Sequence, residues 1–241
     1  MQPPLIDVQQ LNKRYGKLDA LRDVSFSVPA GAFVTLFGPN GSGKTTLIRI
    51  LANLIHPTSG DARIAGRSLA RDGAQTRTLL GVVLHQSLLY DALTAQENLQ
   101  FYGRMFNVPL LQKRIEWLLD DVGLYDRRAD LVRTFSRGMQ QRLSIARALL
   151  HDPKILLLDE AFSGLDANAV NLLRRMLARF HDEGRTILMS THEYKLGMRQ
   201  ATHVAMLVNG ALRYFGKPEG IATLLAHKET ERHEHDDLYD I

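Results

Sequence analysis

This sequence lacks cysteine, a long apolar run and a recognisable signal peptide, and each absence excludes a class of protein. Its 241 residues include no cysteine, which excludes disulfide bonds and thiolate-bound metals and favours a reducing compartment. No apolar run is long enough to cross a bilayer, because even residues 47–55 are interrupted by Arg49. Residues 1–5 have no basic stretch leading into an apolar core, so we expect no signal peptide. We therefore expect a cytoplasmic chain that needs a partner protein if it works at a membrane.

Charge is distributed unevenly along the chain. The formal net charge is +4, but residues 227–241 carry two basic and six acidic side chains, a net charge of −4, which leaves +8 on the rest. A basic body suits an anionic membrane face, nucleic acid or bound nucleotide, although an ordinary solvated surface fits equally well. Residues 228–241 are polar and lack a periodic apolar face. We predict a disordered tail there and one ordered domain over residues 1–227.

One segment carries the strongest functional signal. It fits the phosphate-loop pattern GxxxxGK[ST], follows an apolar strand predicted over 33–37, and precedes apolar residues at helical spacing up to residue 55. In this context glycines turn backbone N–H groups inward, and the helix N-terminus favours anions. We predict that Lys44 reaches the β- and γ-phosphates of a nucleotide and that the Thr45 hydroxyl binds Mg²⁺. The predicted phosphate-binding residues are Gly38, Pro39, Asn40, Gly41, Ser42, Gly43, Lys44, Thr45 and Thr46.

Hydrophobic periodicity predicts an α/β chain. Continuous apolar runs indicate buried parallel strands at 155–158 and 186–189, whereas alternation at 22–28 indicates a strand with one solvated face. Between about residues 88 and 153 we find helical stripes and no convincing strand, so we predict an inserted helical subdomain. The other predicted strands are 5–8, 62–65, 80–84, 203–208 and 211–215. The other predicted helices are 95–106, 110–122, one that stops before Asp152 and one that ends near Gly184, with turns at 13–16 and 209–210.

Polar side chains that follow the predicted strands complete a site for hydrolysis of a γ-phosphate. Asp159 ends a buried strand and is expected to support Mg²⁺, since a buried carboxylate without a partner is costly. Glu160 stands where a general base for the attacking water is needed. His192 is expected to hydrogen-bond the γ-phosphate, and the Gln86 amide to sense both metal and water. Two alternatives stay open: His192 as a structural residue, and Tyr15 as a packing residue at a strand end.

Residues 135–142, Phe-Ser-Arg-Gly-Met-Gln-Gln-Arg, resemble the signature motif of ABC-transporter ATPases. The resemblance implies a P-loop NTPase fold, with a RecA-like core that includes an antiparallel β part and the inserted helical subdomain. It also implies a head-to-tail homodimer, with ATP and Mg²⁺ between the phosphate loop of one chain and the signature of the other. On this basis Ser136 and Gly138 bind the partner's ATP, Asp166 lies across the interface, and Tyr15 stacks on adenine. The matching segments, in the family's order, are 38–46, Gln86, 135–142, 155–160, 163–166 and His192.

The sequence departs from that family at three positions. Arg137 stands where a second signature glycine is usual, and Met139 stands where glutamine is usual; both variants resemble an exporter-type subset. Ala161 replaces the proline that commonly follows the glutamate. The first two positions leave the affinity of the signature for nucleotide open, and we expect the third to loosen its turn slightly.

Two segments, 85–102 and 135–153, resemble the ATP-binding subunit of the haem exporter in cytochrome c maturation. ABC-2-type exporters of lipids, drugs or polysaccharides share much of the same pattern. The resemblance therefore predicts an ATPase at the cytoplasmic face of the plasma (inner) membrane, bound to transmembrane permease subunits. A soluble ABC ATPase acting on nucleic acid or ribosomes is the main rival. The single phosphate loop and the lack of a long heptad run oppose it, so we expect no nucleic-acid partner. An intact Glu160 opposes a regulator that binds nucleotide without hydrolysing it.

Overall fold

The computed structural model of the protein describes residues 3–192 and 197–221. Its strands are β1 Ile6–Tyr15, β2 Leu18–Val28, β3 Phe33–Phe37, β4 Ser59–Ile64, β5 Arg67–Ser68, β6 Leu80–Val83, β7 Ile155–Asp159, β8 Thr186–Thr191, β9 His203–Val208 and β10 Ala211–Gly216. Its main helices are α1 Lys44–Leu51, α2 Leu69–Arg77, α3 Ala95–Met105, α4 Leu111–Asp121, α5 Arg137–Leu149 and α6 Ala167–Asp182.

The larger sheet determines where the functional side chains meet. Its strand order is β10-β9-β3-β8-β7-β6, and every pair is parallel except β10 with β9. All five residues of β7 are buried, as expected of a strand covered on both faces. Because neighbouring strands are parallel, β3, β7 and β8 end at one edge, with Phe37 paired to Thr191 and Asp159 paired to Ser190. The loops that follow these strands are therefore adjacent.

The smaller sheet covers one face of the larger sheet. It is antiparallel, in the order β2-β1-β4-β5. Its apolar side chains share a core with helix α1 and with one face of β3 and β7, including Val24, Ile48 and Leu157. Alternating burial along the end of β2 agrees with the predicted strand that has one solvated face.

Helices α3 to α6 pack on the opposite face of the larger sheet. The apolar stripe of α4, with Ile115 and Leu118, joins residues of α5, α6 and β7 in a second core. Helix α3 begins with a capping box, in which the Thr94 hydroxyl accepts the Glu97 N–H and the Glu97 carboxylate accepts the Thr94 N–H. The division into a core and a helical subdomain of about residues 88–153 stays a prediction.

The structure corrects three local predictions. Residues 13–15 continue strand β1 rather than forming a turn, because β1 pairs with β2 as far as Tyr15. Helix α1 ends at Leu51, so Leu54 and Ile55 lie beyond it. Helix α2 was not predicted, because its sequence buries Leu69 and Thr76 and otherwise shows no apolar stripe. The predicted tail over 228–241 lies outside the described residues, and no described helix is long and apolar enough to cross a membrane.

Candidate functional site

The phosphate loop joins β3 to α1, as the sequence predicts. Two of its glycines are required by close backbone approaches. Gly38 has φ +153° and a Cβ there would lie 2.1 Å from the Leu207 carbonyl oxygen; Gly43 has φ +103° and a Cβ would lie 2.5 Å from the Ala20 carbonyl oxygen. The loop is therefore held against β9 and β2, and the free N-terminal N–H groups of α1 face the cleft.

Lys44 is buried at the start of α1, with 6% of its surface exposed. Its Nζ donates to the Gly38 carbonyl oxygen at 2.7 Å and to the Pro39 carbonyl oxygen at 3.1 Å. Burial lowers the pKa of Lys44 below its usual range, and the nearby Glu160 and Asp159 carboxylates oppose that shift. The ammonium is therefore a partly desolvated cation that polyphosphate oxygens would stabilise.

Asp159 and Thr45 form the part of the site that suits a metal. Asp159 is 1% exposed, and one carboxylate oxygen accepts hydrogen bonds from the Thr45 hydroxyl at 3.1 Å and from the Ser190 hydroxyl at 2.8 Å. No group of three or more acidic or histidine side chains that could hold a metal occurs within residues 3–192 and 197–221. Carboxylate and hydroxyl oxygens fit Mg²⁺, which keeps several waters and commonly completes its shell with substrate phosphates.

Glu160 and His192 are in contact beside the phosphate loop. The Glu160 carboxylate accepts a hydrogen bond from, or forms an ion pair with, His192 Nδ1 at 2.8 Å, and its other oxygen lies 4.0 Å from Lys44 Nζ. The Glu160 backbone is left-handed, with φ +52°, and its N–H donates to the Ser190 hydroxyl at 3.0 Å. A strained backbone at a half-buried residue of this kind holds a carboxylate in a defined place at the cleft edge.

Lys44, Thr45, Glu160 and His192 line a cleft of about 470 Å³, whereas Asp159 is not among its lining residues and reaches it through Thr45. Tyr15 stands at its rim, 46% exposed, with Lys13 Nζ 5.0 Å from the ring centre. The cleft brings Tyr15, the residues from Asn40 to Thr46, Glu160 and His192 together. Gln86 is absent from this cleft and lines a second one, which shares His85, Glu160 and Ser163 with the first.

The signature residues lie elsewhere on the chain. Ser136 caps α5 by accepting the Met139 N–H at 3.3 Å, and Asp166 caps α6 by accepting the Ala169 N–H at 2.8 Å. Ser136, Gly138 and Asp166 line a third cleft of about 190 Å³. None of these three residues is among those that line the phosphate cleft. One chain thus carries two separated groups of predicted nucleotide-binding residues.

Ser190 is a site residue that the sequence analysis did not assign. Its hydroxyl joins the Asp159 carboxylate to the Glu160 backbone N–H, so it fixes both acidic residues at once. The available signal was its place directly after the strand predicted over 186–189, because parallel strands next to β7 end at a common edge.

Comparisons with known proteins agree with this architecture. The sequence profile of the family described as ABC transporter matches residues 21–163. The chain is 36% identical over 222 residues to the Nod factor export ATP-binding protein I of Ralstonia nicotianae, covering 91% of this chain and 69% of that protein. It is 37% identical over 205 residues to the ABC transporter ATP-binding protein NatA of Bacillus subtilis, covering 84% and 83%. It is also 36% identical over 219 residues to the sulfate/thiosulfate import ATP-binding protein CysA of Mycobacterium bovis, covering 90% and 62%.

Solved structures give the same result. An ATP-binding subunit of an ABC transporter has a TM-score of 0.85 at 30% identity, covering 92% of this chain and 93% of that one. A dimeric ATP-binding cassette in a post-hydrolysis state, bound to ADP and Pi, has a TM-score of 0.81 at 27% identity, covering 88% and 98%. The predicted fold class, mixed α/β with a P-loop NTPase core, is confirmed.

Proposed function

This chain belongs to the ABC transporter family as an ATP-binding, ATP-hydrolysing subunit, and we propose that it energises an exporter whose membrane-spanning subunits are separate chains. The observation that carries the proposal is the single cleft in which Lys44, Glu160 and His192 meet the phosphate loop. The Lys44 ammonium and the Glu160 carboxylate lie 4.0 Å apart in this cleft. Thr45, at the same cleft, is hydrogen-bonded to Asp159, the carboxylate that suits a metal.

Each group of this cleft has a chemical role in the proposed reaction. The loop from Gly38 to Thr46 and the Lys44 ammonium bind the phosphates, and Tyr15 stacks on adenine. Thr45 and Asp159 hold Mg²⁺, which when bound neutralises charge on the phosphate oxygens. Gln86 lines the second cleft together with Glu160, and its amide would contact the metal and the attacking water when they are bound.

Glu160 and His192 act on the water and on the transferred phosphoryl group. Glu160 accepts the proton of the attacking water as general base, and its left-handed backbone fixes the direction of the carboxylate. His192 holds that carboxylate through the 2.8 Å contact at Nδ1. Its Nε2 donates to the γ-phosphate when both ring nitrogens carry a proton. The Glu160 carboxylate lies 4.0 Å from the Lys44 ammonium, whose charge also favours negative charge on the phosphate.

The second group of residues completes the site of a partner copy. Ser136 and Gly138 stand at the N-terminus of the 13-residue helix α5, where N–H groups and a hydroxyl favour an anion. Because they do not line their own chain's phosphate cleft, we propose a head-to-tail homodimer in which they face the partner's γ-phosphate, with Asp166 at the interface. ATP binding then favours the closed dimer, and hydrolysis releases it.

A hydrophobic groove supplies the surface for the membrane partner. It has a volume of about 200 Å³ and is lined by side chains that include Leu54, Leu88 and Met105, which are 50%, 38% and 57% exposed. The buried Arg147 Nε and His151 Nδ1 at this groove have no hydrogen-bond partner among the described residues. His151 Nε2 faces the Leu80 carbonyl oxygen at 3.0 Å and therefore carries the ring proton, which leaves Nδ1 as an acceptor. We propose that an apolar helix of a permease subunit docks here, with an oxygen acceptor for Arg147 Nε and a hydrogen-bond donor for His151 Nδ1.

Co-purification tests the groove and the transporter assignment together. The tagged wild-type chain should bring down a polytopic membrane protein from detergent-solubilised membranes. Met105→Asp should remove that protein while leaving the ATPase rate of the isolated chain unchanged. Leu110→Asp is the matched control, because Leu110 is 77% exposed and is not among the residues that line the groove. Recovery of ribosomes or nucleic acid in place of a membrane protein would favour the rival soluble ATPase.

The cargo and direction require a separate measurement. Export is favoured by the name of the Nod factor relative and by the signature variant at Arg137 and Met139, and we propose haem as cargo because segments 85–102 and 135–153 resemble the haem-exporter subunit. Deletion of the chain should then abolish holo-cytochrome c formation. Normal cytochrome c levels with loss of lipid, drug or polysaccharide export would assign an ABC-2-type cargo instead. Loss of sulfate uptake would assign import in place of export, in line with the name of the importer relative.

A further inference from the structure

The segment from Glu160 to Asp166 connects the proposed general base to helix α6. Its first half is anchored in the core, since Ala161 and Phe162 are 1% and 6% exposed. Its second half is solvent-exposed at Gly164 and Asp166. The Ser163 and Leu165 N–H groups donate to the Glu160 and Phe162 carbonyl oxygens, but Gly164, with φ +71°, has no side chain of its own to anchor this half.

We infer that Arg137 is a positioning residue that holds this segment within its own chain, an inference that rests on the proposed function of Glu160. A Cβ built on Gly164 would lie 2.7 Å from Arg137 Nη1, 2.8 Å from its Cζ and 3.0 Å from its Nε. Three guanidinium atoms at nearly equal distances mean that the planar group covers the position that a Gly164 Cβ would occupy. Arginine thus fills the space that the missing side chain leaves.

A second contact from the same helix supports the first. The Gln141 side-chain amide donates to the Ala161 carbonyl oxygen at 3.0 Å. Arg137 and Gln141 are four residues apart in α5, so both project from one face of that helix. This face touches the segment at Ala161 and again at Gly164, on either side of its turn. The helix that carries the signature therefore also holds the turn that carries the general base.

The location of Arg137 determines which kinetic parameter it affects. Its side chain lines the second cleft, of about 470 Å³, together with Gln86, Glu160 and Ser163. It is not among the residues that line the phosphate cleft of its own chain. Loss of Arg137 should therefore loosen the turn of Glu160 and lower kcat, while the ATP-binding loop and its affinity for ATP are unaffected. Where the family usually has glycine, no side chain would reach Gly164.

Two substitutions separate the planar contact from the charge. Arg137→Ala removes both, whereas Arg137→Lys keeps the charge and removes the plane. Both variants should fold, because Arg137 is solvent-exposed. In amide hydrogen exchange on the ATP-free protein, both should increase the exchange rate over 161–166 by about fivefold, with the rate over α1 unchanged. Wild-type rates over 161–166 in Arg137→Ala would overturn the inference.

Steady-state kinetics give the second readout. Both variants should lower kcat by about three- to tenfold at constant KM for ATP. Gly164→Ala should cost more kcat in the wild-type background than in Arg137→Ala, because its Cβ collides with the guanidinium only when Arg137 is present. Equal costs in both backgrounds would show that Arg137 does not occupy the space beside Gly164. Full recovery of kcat in Arg137→Lys would show that charge alone matters. Either result would overturn the inference. Hydrogen exchange needs no turnover, so an inactive wild-type chain would count against the proposed function without affecting this test.

Discussion

Lys44→Met removes the charge at the centre of the phosphate cleft while keeping an unbranched side chain. In the structure the Lys44 ammonium is buried, donates to the Gly38 and Pro39 carbonyl oxygens and lies 4.0 Å from a Glu160 oxygen. Its pKa is lowered, chiefly by burial. The substitution therefore separates two quantities that many variants change together, the stability of the nucleotide-free fold and the affinity for ATP.

The stability terms for Lys44→Met nearly cancel. Loss of two hydrogen bonds from a charged donor costs about 1.5–3 kcal/mol each. Removing a buried ion recovers a desolvation penalty that is itself on the order of several kcal/mol. We therefore expect the unfolding free energy to change by less than about 1.5 kcal/mol, which for a chain of this length is less than about 6 °C in Tm.

The affinity of Lys44→Met for ATP has no such compensation. Truncating one partner of a buried ion pair costs about 2–5 kcal/mol, so the Kd for ATP should rise by roughly 30-fold to several thousand-fold. Calorimetric titration measures that change directly. Thermal unfolding provides a second measurement, because ATP at one hundred times the wild-type Kd should stabilise the wild type by about 2.7 kcal/mol and Lys44→Met by less than about 1 kcal/mol.

The lowered pKa of Lys44 adds a pH dependence with a definite sign. Between the lowered folded-state value and the ordinary lysine pKa of about 10.4, the unfolded chain keeps a proton that the folded chain has lost. Stability should therefore rise with pH across this interval in the wild type relative to Lys44→Met. ATP affinity should fall across the same interval, because a neutral amine no longer attracts phosphate.

Two results would refute this reasoning about Lys44. A Kd for ATP within about threefold of the wild-type value would remove Lys44 from the phosphate-binding site. A fall of more than about 10 °C in the nucleotide-free Tm would mean that the Lys44 hydrogen bonds hold the loop together and that loss of ATP binding is secondary to unfolding.

Three further substitutions test other parts of the structure. Glu160→Gln keeps the side-chain shape but cannot accept a proton, so kcat should fall at least about 100-fold with ATP binding retained and a stable dimer trapped. Gly43→Ala forces a Cβ to within 2.5 Å of a backbone oxygen at φ +103°, so it should lower the unfolding free energy by about 2 kcal/mol or more and abolish ATP binding. Arg179→Ala breaks a bidentate pair to a carboxylate that is 14% exposed, so urea unfolding should show a loss of about 1–2 kcal/mol at unchanged KM for ATP.

Matched controls define how each of these predictions fails. At Gly41 φ is +78° and a new Cβ would have no atom within 4 Å, so Gly41→Ala should lower the unfolding free energy by about 1 kcal/mol through backbone strain alone. An equal loss for Gly41→Ala and Gly43→Ala would exclude the collision at Gly43. Arg127→Ala removes an exposed pair and should cost less than about 0.5 kcal/mol. Similar losses for Arg127→Ala and Arg179→Ala would mean that partner burial is irrelevant. Undiminished hydrolysis in Glu160→Gln would assign the proton acceptor to another group.

The strand-end residues were predictable because a parallel sheet converts sequence position into spatial proximity. Asp159, Glu160 and His192 each follow an apolar run, and runs of that kind end at one edge, so the sequence alone placed them beside the phosphate loop. The contact between Glu160 and His192 was not predictable, because it depends on the left-handed backbone at Glu160. Ser190 was missed although it directly follows the strand predicted over 186–189, because no motif connects a serine at that place with Asp159 or with the Glu160 N–H.

Contacts between distant segments were the least predictable part. Arg137 reaches Gly164 across 27 residues of sequence, and no periodicity or motif connects the two positions. Strand β1 extends to Tyr15 because β2 pairs with it through several irregularities in register, which interrupt the alternation that identifies a strand. In each case tertiary packing decided the local conformation, and local sequence did not.

The left-handed backbone of Glu160 has a consequence for engineering. Glycine and asparagine tolerate φ +52° better than glutamate does, so either one would relieve about 1 kcal/mol of strain at this position. A library selected for heat tolerance alone would accumulate them there and lose its ATPase in the process. Directed evolution of this chain therefore needs a turnover screen in every round, because thermostability and activity place opposite demands on the same residue.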